Sequence, residues 1–417
     1  MTHRPDQALR KWVAGNRRAD TGPDPADAGS GRARVCIFHN MVVPYRLPLF
    51  DRLARDQDLV VLFGLERSAD RLWATSLDGA GFAYRVLPAW IIGPLVLNPG
   101  LAAELVRRRP DVLIHADNDE SLVSLLVILA LRRLLRYRLV LWVEHVPRTR
   151  AALRTTQARR RRLQWPLTRA ALWSMTAFRR MAYRRADALL SMSGPASDRF
   201  IGGLAVSRPV FTGTQVVPAS TLIPAGPRPG GRGGAGPVRI LFLGYLRANK
   251  NVGALIRAFA RTAAGSAELV IAGTGPELAD LQALAAGRAD VTFAGHVDGE
   301  DKVALLRDAD LLVLPSFIEP WGLVVNEALF YGVPVLVSRG AASCALIEDG
   351  RTGLLFDPAR EGELEARLRQ YLGDPALRAR LRAGAAAVDV ETVAGVDHGV
   401  EHFQRALAAV TARGSRP

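Results

Sequence analysis

PSFIEPWGLVVNEALFYGVPVLVS, residues 315–338, is the stretch whose reading decides the fold. Ahead of it, Leu311–Leu314 is a short apolar run that ends at Pro315, as a buried strand does. Gly322–Tyr331 then has helical spacing, and Pro334 with Val335 open the next apolar run. Strand, loop, helix and strand in so short a span form the unit from which parallel α/β sheets are built. The first amides of a helix lack intrahelical acceptors and attract anions, so Gly322, Leu323 and Val324 are a candidate phosphate seat. Glu319, just outside that seat, is placed to accept hydrogen bonds from sugar hydroxyls. Glu327, further along the helix, can do the same for a ribose.

The two glutamates, with seven residues between them, stand among the flanking elements PS, EP-x-GL, NEAL and G-x-PV. Together these resemble the E-x7-E signature of the retaining, sugar-nucleotide-dependent glycosyltransferases of family 4. The resemblance implies the GT-B fold, an α/β architecture of two Rossmann-like parallel-sheet domains facing a cleft. Read without it, the run is an ordinary buried βαβ unit holding a satisfied glutamate. The likeness is densest from Val238 to Pro358 and fainter across the chain from Arg34.

On the donor side, the apolar run Ile240–Leu243 leads into GYLRANKN, residues 244–251. Gly244 permits close backbone approach, and Arg247 and Lys250 are cations suited to a diphosphate. The stretch resembles the family's G-R-L-x-x-x-K-G element, with Lys250 on the lysine position and Tyr245 where an arginine is usual. IAGTGPELADL, residues 271–281, resembles its G-x-G-P element, with Gly273 at the end of a strand. The resemblance then implies that the loop holding Gly295, His296 and Val297 packs on the nucleotide base. It also implies transfer without a metal or other cofactor, the co-substrate being a UDP- or GDP-sugar.

On the acceptor side, VCIFHNMVVPYRLPLFDRLA (residues 35–54) has no G-x-G-x-x-G after its strand, which argues against a NAD or FAD site. PYRLPLF resembles a subgroup of the family that glycosylates lipid-linked saccharides or other surface polymers. Tyr45 and Arg46 are the acceptor-side candidates there, against a purely loop-shaping role for Pro44 and Pro48. In WVEHVPRTR (142–150), His145 stands where relatives carry a cleft histidine near the donor sugar. Asp117 to Glu120 follow another strand, to bind hydroxyls or to cap the next helix.

Composition bounds the rest. A chain of 417 residues, 49% of them hydrophobic, has room for more than one core. Cys36 and Cys344 have no metal-ligand spacing and read as buried thiols in a reducing cytoplasm. Residues 1–33 lack an apolar segment and read as a disordered tail rather than a secretory signal. The Pro- and Gly-rich segment 223–237 reads as a linker between an acceptor domain, 34–222, and a donor domain, 238–394. Residues 395–417 read as a helix that packs back on the first domain. The longest apolar stretch, Leu122 to Leu131, is too short to span a bilayer, which needs about 20 residues.

The formal net charge is +15, and Arg148–Arg185 contains 12 arginines and no acidic residue. Within that stretch a helix beginning near Pro166 places Ala171, Leu172, Met175, Phe178 and Ala182 on one arc. Arg169, Arg180 and Arg184 fall on another, beside Trp173. Such a helix suits an anionic membrane surface, against a solvated structural face or nucleic acid, for which no accompanying motif is present. The expected protein is therefore a peripheral enzyme on the inner face of the plasma membrane. It moves a sugar to a saccharide or lipid-linked acceptor, with Glu319, His145, Lys250 and Arg247 carrying the chemistry. An epimerase or phosphorylase-type enzyme on the same fold, or a non-catalytic membrane-surface scaffold, are the alternatives. Abundant Ala and Arg suggest a bacterium of high genomic GC content, and so cell-envelope or exopolysaccharide assembly.

Overall fold

The computed structural model describes residues 32–66, 76–92, 95–118, 120–144, 165–192, 201–203, 207–213, 215–217, 222, 236–263 and 265–412. Most of the expected tail and linker, together with Asp119, His145 and the arginines from Arg148 to Arg162, lie outside the described residues.

In the first part of the chain the strands are β1 (Arg34–His39), β2 (Asp58–Phe63), β3 (Ala83–Val86), β4 (Trp90–Ile92), β5 (Leu95–Leu97), β6 (Val112–Asp117), β7 (Arg138–Val143), β8 (Ala188–Met192) and β9 (Val210–Gly213). The helices among them are α1 (Leu47–Ala54), α2 (Leu101–Arg108), α3 (Leu122–Leu135) and α4 (Trp165–Arg185). The second part begins with β10 (Val238–Leu243), α5 (Val252–Thr262), β11 (Ala267–Ala272), α6 (Leu278–Leu284), β12 (Val291–Gly295) and α7 (Gly299–Asp308). It continues with β13 (Leu311–Leu314), α8 (Val324–Phe330), β14 (Val335–Ser338) and β15 (Gly353–Phe356). Four helices close it: α9 (Glu363–Gly373), α10 (Pro375–Ala386), α11 (Val390–Ala394) and α12 (Val396–Thr411).

Two main sheets result, in the orders β3-β2-β1-β6-β7-β8-β9 and β12-β11-β10-β13-β14-β15, with β4 and β5 as a separate antiparallel ribbon. The pairings between β1, β2, β3 and β6, between β8 and β9, and throughout the second sheet are parallel. The fold is thus α/β with two Rossmann-like parallel sheets. By contact density the chain forms two compact units, one of residues up to Val140 and one of Leu141–Ala412.

In the first unit, β1 lies between β2 and β6, with Cys36 opposite both Val60 and Leu113. A central strand covered on both faces must be apolar along its length, which is why RVCIFH does not alternate. Burial pushes the Cys36 thiol up to about 12, so it is an inert packing residue; Cys344 is buried too and forms no disulfide.

In the second unit, successive residues of β10 point to opposite faces. Ile240 and Phe242 share a core with α5, α6, α9 and α10 through Leu255, Phe259, Leu281, Leu368 and Leu381. Leu241 faces the other way, into a core with Leu306 of α7, Val325 of α8 and Val390 of α11. A sheet is therefore packed between two helical layers. The edge strands β3 and β9, with mixed or exposed faces, and β15, a four-residue run after a turn, gave no periodic signal in the sequence.

Where the side chains of α4 are described, Ala182, Tyr183 and Arg179 are buried, Met175 and Phe178 half-buried, and Arg180 and Arg184 exposed. The described part of the apolar arc thus turns into the protein. At the chain's end, α12 packs on β8 and β9. Phe403 meets Trp142 edge-on at 4.9 Å, and the His402 ring fills the space that a Cβ on Gly213 would need.

His398 lies one turn before His402, ring centroids 4.6 Å apart, and burial together with His402 lowers its pKa below the ordinary 6.5. A depressed folded-state value means that the unfolded chain binds the proton more tightly. The neutral ring's contribution is therefore complete above 6.5 and lost as pH falls through the folded pKa. The urea midpoint should fall on acidification from about pH 7 to about pH 5, and His398→Gln should flatten part of that fall.

Candidate functional site

The order of the six-stranded sheet reverses at β10, which has β11 on one side and β13 on the other. In open α/β sheets the crevice at such a point, beyond the carboxyl ends of the strands, is where ligands bind. The loops leaving β10 and β13 meet there. The Phe317 amide donates to the Asn249 carbonyl at 2.8 Å, and Asn249 Nδ2 donates to the Ile318 carbonyl at 3.0 Å. Asn251, held in the left-handed region at φ 58°, donates from Nδ2 to the Pro315 carbonyl at 3.2 Å.

These ties set Lys250, on the 3-10 turn Ala248–Lys250, against Glu319, and Lys250 Nζ donates to Glu319 Oε2. Their side chains are only 17% and 12% exposed. A carboxylate so withdrawn from water needs a cation, and the sheet order supplies one from a loop 69 residues away in sequence. The Glu319 backbone is fixed as well. Its amide donates to the Gly340 carbonyl at 3.1 Å and its carbonyl accepts from Ala342 at 3.1 Å.

Beyond Glu319, Trp321 Nε1 donates to Asn326 Oδ1 at 2.7 Å and locks the turn into α8. Gly322 sits at φ +97°, where an added Cβ would meet Leu314 at 2.5 Å and Glu319 at 3.3 Å. The helix is shorter than its spacing suggests, beginning at Val324, with Val325 bonded to Gly322 and Glu327 to Leu323. The amides of Gly322, Leu323 and Val324 donate to no backbone acceptor among the described residues. Glu327, on α8, accepts from Lys302 Nζ of α7 at 3.0 Å. Glu319 and Glu327 are thus both paired with lysines, and only Lys250 of those two lysines was among the candidates from the sequence.

The other loops are stitched backbone to backbone. Gly273 N donates to Gly295 O at 2.6 Å, Gly244 N to Ala272 O at 3.0 Å and Leu246 N to Thr274 O at 2.8 Å. Gly273, at φ +144°, has no room for a side chain, because a Cβ there would lie 1.9 Å from the Gly244 carbonyl oxygen. Arg247 stacks over the Tyr245 ring at 4.6 Å, so the tyrosine holds the guanidinium two residues on. His296, half-exposed after β12, lies 3.8 Å from Asp298 and next to Val297.

The donor-side candidates therefore gather at the carboxyl ends of β10 to β13. Tyr45 and Arg46 belong to the first unit, on a 3-10 turn after β1. Arg46 is buried against His39 and 5.6 Å from the Tyr45 ring centroid. His39 Nδ1 lies 2.7 Å from the Met41 carbonyl, and its Nε2 faces the Arg46 guanidinium. Asn118 Oδ1 accepts from the amide of Ser121, the residue that precedes α3, at 3.0 Å. Among the described residues no three His, Cys, Asp or Glu side chains gather as a metal site requires, and no helix is long and apolar enough to cross a membrane.

The two sheets define an α/β fold with two Rossmann-like parallel sheets, and its structural neighbours are GT-B glycosyltransferases. Residues 234–388 match the family model described as Glycosyl transferases group 1. Within a comparable stretch the chain is similar to alpha-D-kanosaminyltransferase of Streptomyces kanamyceticus, 34% identical over 152 residues, covering 35% of this chain and 39% of that one. The chain matches less than two fifths of the length of the curated relatives compared. Sucrose-phosphate synthase from Thermosynechococcus elongatus superposes with a TM-score of 0.69 at 15% identity, over 91% of this chain and 100% of its own. Anabaena Alr3699/HepE, solved in complex with UDP-glucose, gives 0.65 at 17% identity, over 90% and 100%. At these identities the likeness is one of fold.

Gly273→Ala should lose about 1–3 kcal/mol of stability in urea unfolding, because the β10 and β11 loops must part to admit the methyl group. The same substitution at Gly265, at φ +78° with no atom within 4 Å, should cost less.

Proposed function

We propose that the protein is a retaining glycosyltransferase that moves a sugar from a nucleotide-sugar donor, a UDP- or GDP-sugar, to a hydroxyl of a saccharide or lipid-linked acceptor. One observation carries this reading: Lys250, Glu319 and the unbonded amides of Gly322 to Val324 converge at the reversal of strand order. In that arrangement the amides and Lys250 hold the diphosphate, with Arg247 adding a second cation. Glu319 accepts from hydroxyls of the donor sugar, and Glu327 from the ribose. The loop of Gly295, His296 and Val297 lies against the base, while Gly244 and Gly273 let the backbone approach the donor.

The reaction we infer breaks the bond between the anomeric carbon and the phosphate oxygen and forms one from that carbon to the acceptor oxygen on the same face. The acceptor's proton passes to the leaving phosphate oxygen. Charge building on the diphosphate is met by Lys250, Arg247 and the amides, with no metal or other cofactor required. His145 positions the sugar, and Tyr45 and Arg46 serve the acceptor. The likeness to an alpha-D-kanosaminyltransferase supports a sugar as the group moved. We place the enzyme in the cytoplasm of a bacterium, at the inner membrane surface, in cell-envelope or exopolysaccharide assembly.

Ligand-observed NMR against UDP-, GDP-, ADP- and dTDP-sugars identifies the donor, and transfer is then assayed with that donor. Glu319→Ala and Lys250→Ala should each lower transfer by roughly 10²-fold or more in a folded protein, since each removes a group held at the reacting end. Lys302→Ala should instead weaken donor binding by freeing Glu327. Full transfer activity in folded Glu319→Ala would refute the assignment.

A further inference from the structure

Of eight large hydrophobic side chains exposed among the described residues, six lie between Trp90 and Leu134; the others are Val210 and Leu284. Three of the six form the whole of β4: Trp90, Ile91 and Ile92 are 60%, 68% and 59% exposed. Strand side chains alternate between faces, so a strand exposed at every position is covered on neither face and projects from the protein. The ribbon is nevertheless firmly based. Val96 of β5, opposite Ile91, is buried, and its amide donates to the Glu120 carbonyl at 3.1 Å. Asn98 Nδ2 donates to the Gly64 and Pro88 carbonyls at 2.8 and 3.1 Å, clasping the two ends of the ribbon together.

β5 lies against α3, which is apolar on its outer side too. Leu126, Ala130, Arg133 and Leu134 form the exposed face of this helix, with the two leucines 53% and 73% exposed. Basic residues stand at the far end: Arg133 on α3 and Arg136 just after it, with Arg107 on the neighbouring α2 and Arg109 just after that, are exposed. The acidic residue of α2, Glu104, is already paired with Arg85, Arg107 and Arg108.

We propose that the β4–β5 ribbon and the outer face of α3 dock on an anionic bilayer, with Trp90, Ile91 and Ile92 entering the headgroup region. A narrow projecting strand buries little against a flat protein face, whereas a fluid interface closes around both of its sides. Tryptophan is favoured at that depth, and the arginines rimming the apolar face meet anionic headgroups, each worth roughly fivefold in binding. The proposal deepens the membrane element of the reading above. It moves that element from α4, whose described apolar arc turns inward, to the first unit.

The full chain is sedimented with vesicles of equal parts phosphatidylglycerol and phosphatidylcholine, and with phosphatidylcholine alone. Binding should favour the anionic vesicles and weaken with salt. A combined Trp90→Ser, Ile91→Ser, Ile92→Ser variant should bind roughly tenfold more weakly or worse, since burying one such side chain alone is worth about that factor. Arg133→Gln with Arg136→Gln should lose the preference for anionic lipid. All of these positions are solvent-facing, so folding, read by circular dichroism, and donor binding, read by NMR, should be unchanged. Vesicle binding equal to wild type in the serine variant, or none by wild type, would overturn the proposal. So would a wild-type dimer in sedimentation equilibrium that the serine variant abolishes, which would make the ribbon a self-association surface. Vesicle binding without binding of any nucleotide sugar would sink the transferase reading and leave this one standing.

Discussion

The candidate site depends on a tie made by one side chain and one carbonyl of Asn249, across the seam where the sheet reverses its strand order. Its carbonyl takes the Phe317 amide and its side chain reaches the Ile318 carbonyl. Without that tie, little beyond the bond from Asn251 to Pro315 would join the loops after strands whose own register is short, Ile240 to Leu311 and Leu241 to Leu312. With it, Lys250 and Glu319 are held within bonding reach although no local structure connects them. The parallel sheet supplies coarse placement, and Asn249 and Asn251 supply the fine adjustment. Polar groups of the loops bond to each other rather than to water, as a partly buried loop requires.

On the other side of β10 the same problem is solved by subtraction. The loops after β10 and β11 approach until carbonyl oxygens occupy the places where Cβ atoms would be, at Gly273 against Gly244 and at Gly275 against Leu246. Side chains are thus absent where backbones cross and present where ligand groups would lie. This division explains why the glycines sit at strand ends while Arg247, Lys250 and His296 follow one to several positions later. The reading of this arrangement as a donor site is our proposal. The close packing itself follows from the parallel register and from glycine's lack of a side chain.

Much of this was legible in the sequence, for identifiable reasons. Central strands such as β10, β11 and β13 are covered on both faces and read as unbroken apolar runs; helices such as α5 carry a one-sided apolar stripe. Lys250 and Glu319 were legible because each sits in a run of fixed spacing directly after such a strand. Lys302 was not, because its partner Glu327 lies on another helix and only the packing of α7 on α8 joins them. Edge strands β3 and β9 were missed because they are four residues each with none of them buried, too little to give a periodic signal. The ribbon was missed for a related reason: WII and LVL look like core strands, and composition alone does not reveal that one of them has nothing to pack on. For α4 the wheel separated the described faces correctly, since Phe178 and Ala182 are more buried than Arg180 and Arg184. It could not say whether a membrane or the protein covers the apolar arc.

The two lysine–glutamate pairs set a constraint on any ligand of this site. A carboxylate only 12% exposed is costly to leave charged and unpaired, and a diphosphate placed beside two such carboxylates would be repelled. Pairing each glutamate with a lysine removes both difficulties. Each carboxylate keeps lone pairs to accept from hydroxyl groups, while Lys250 has further N–H donors for a phosphate oxygen once its ammonium is fixed by Glu319. A ligand carrying hydroxyls beside an anion can satisfy Glu319, Lys250 and the amides of Gly322 to Val324 together. A bare anion would leave the glutamate's remaining lone pairs unmet, and a neutral sugar would leave the amides and the lysine unmet. The chemistry of the residues therefore favours the combined molecule over either part, which is the discrimination a sugar-nucleotide site must make.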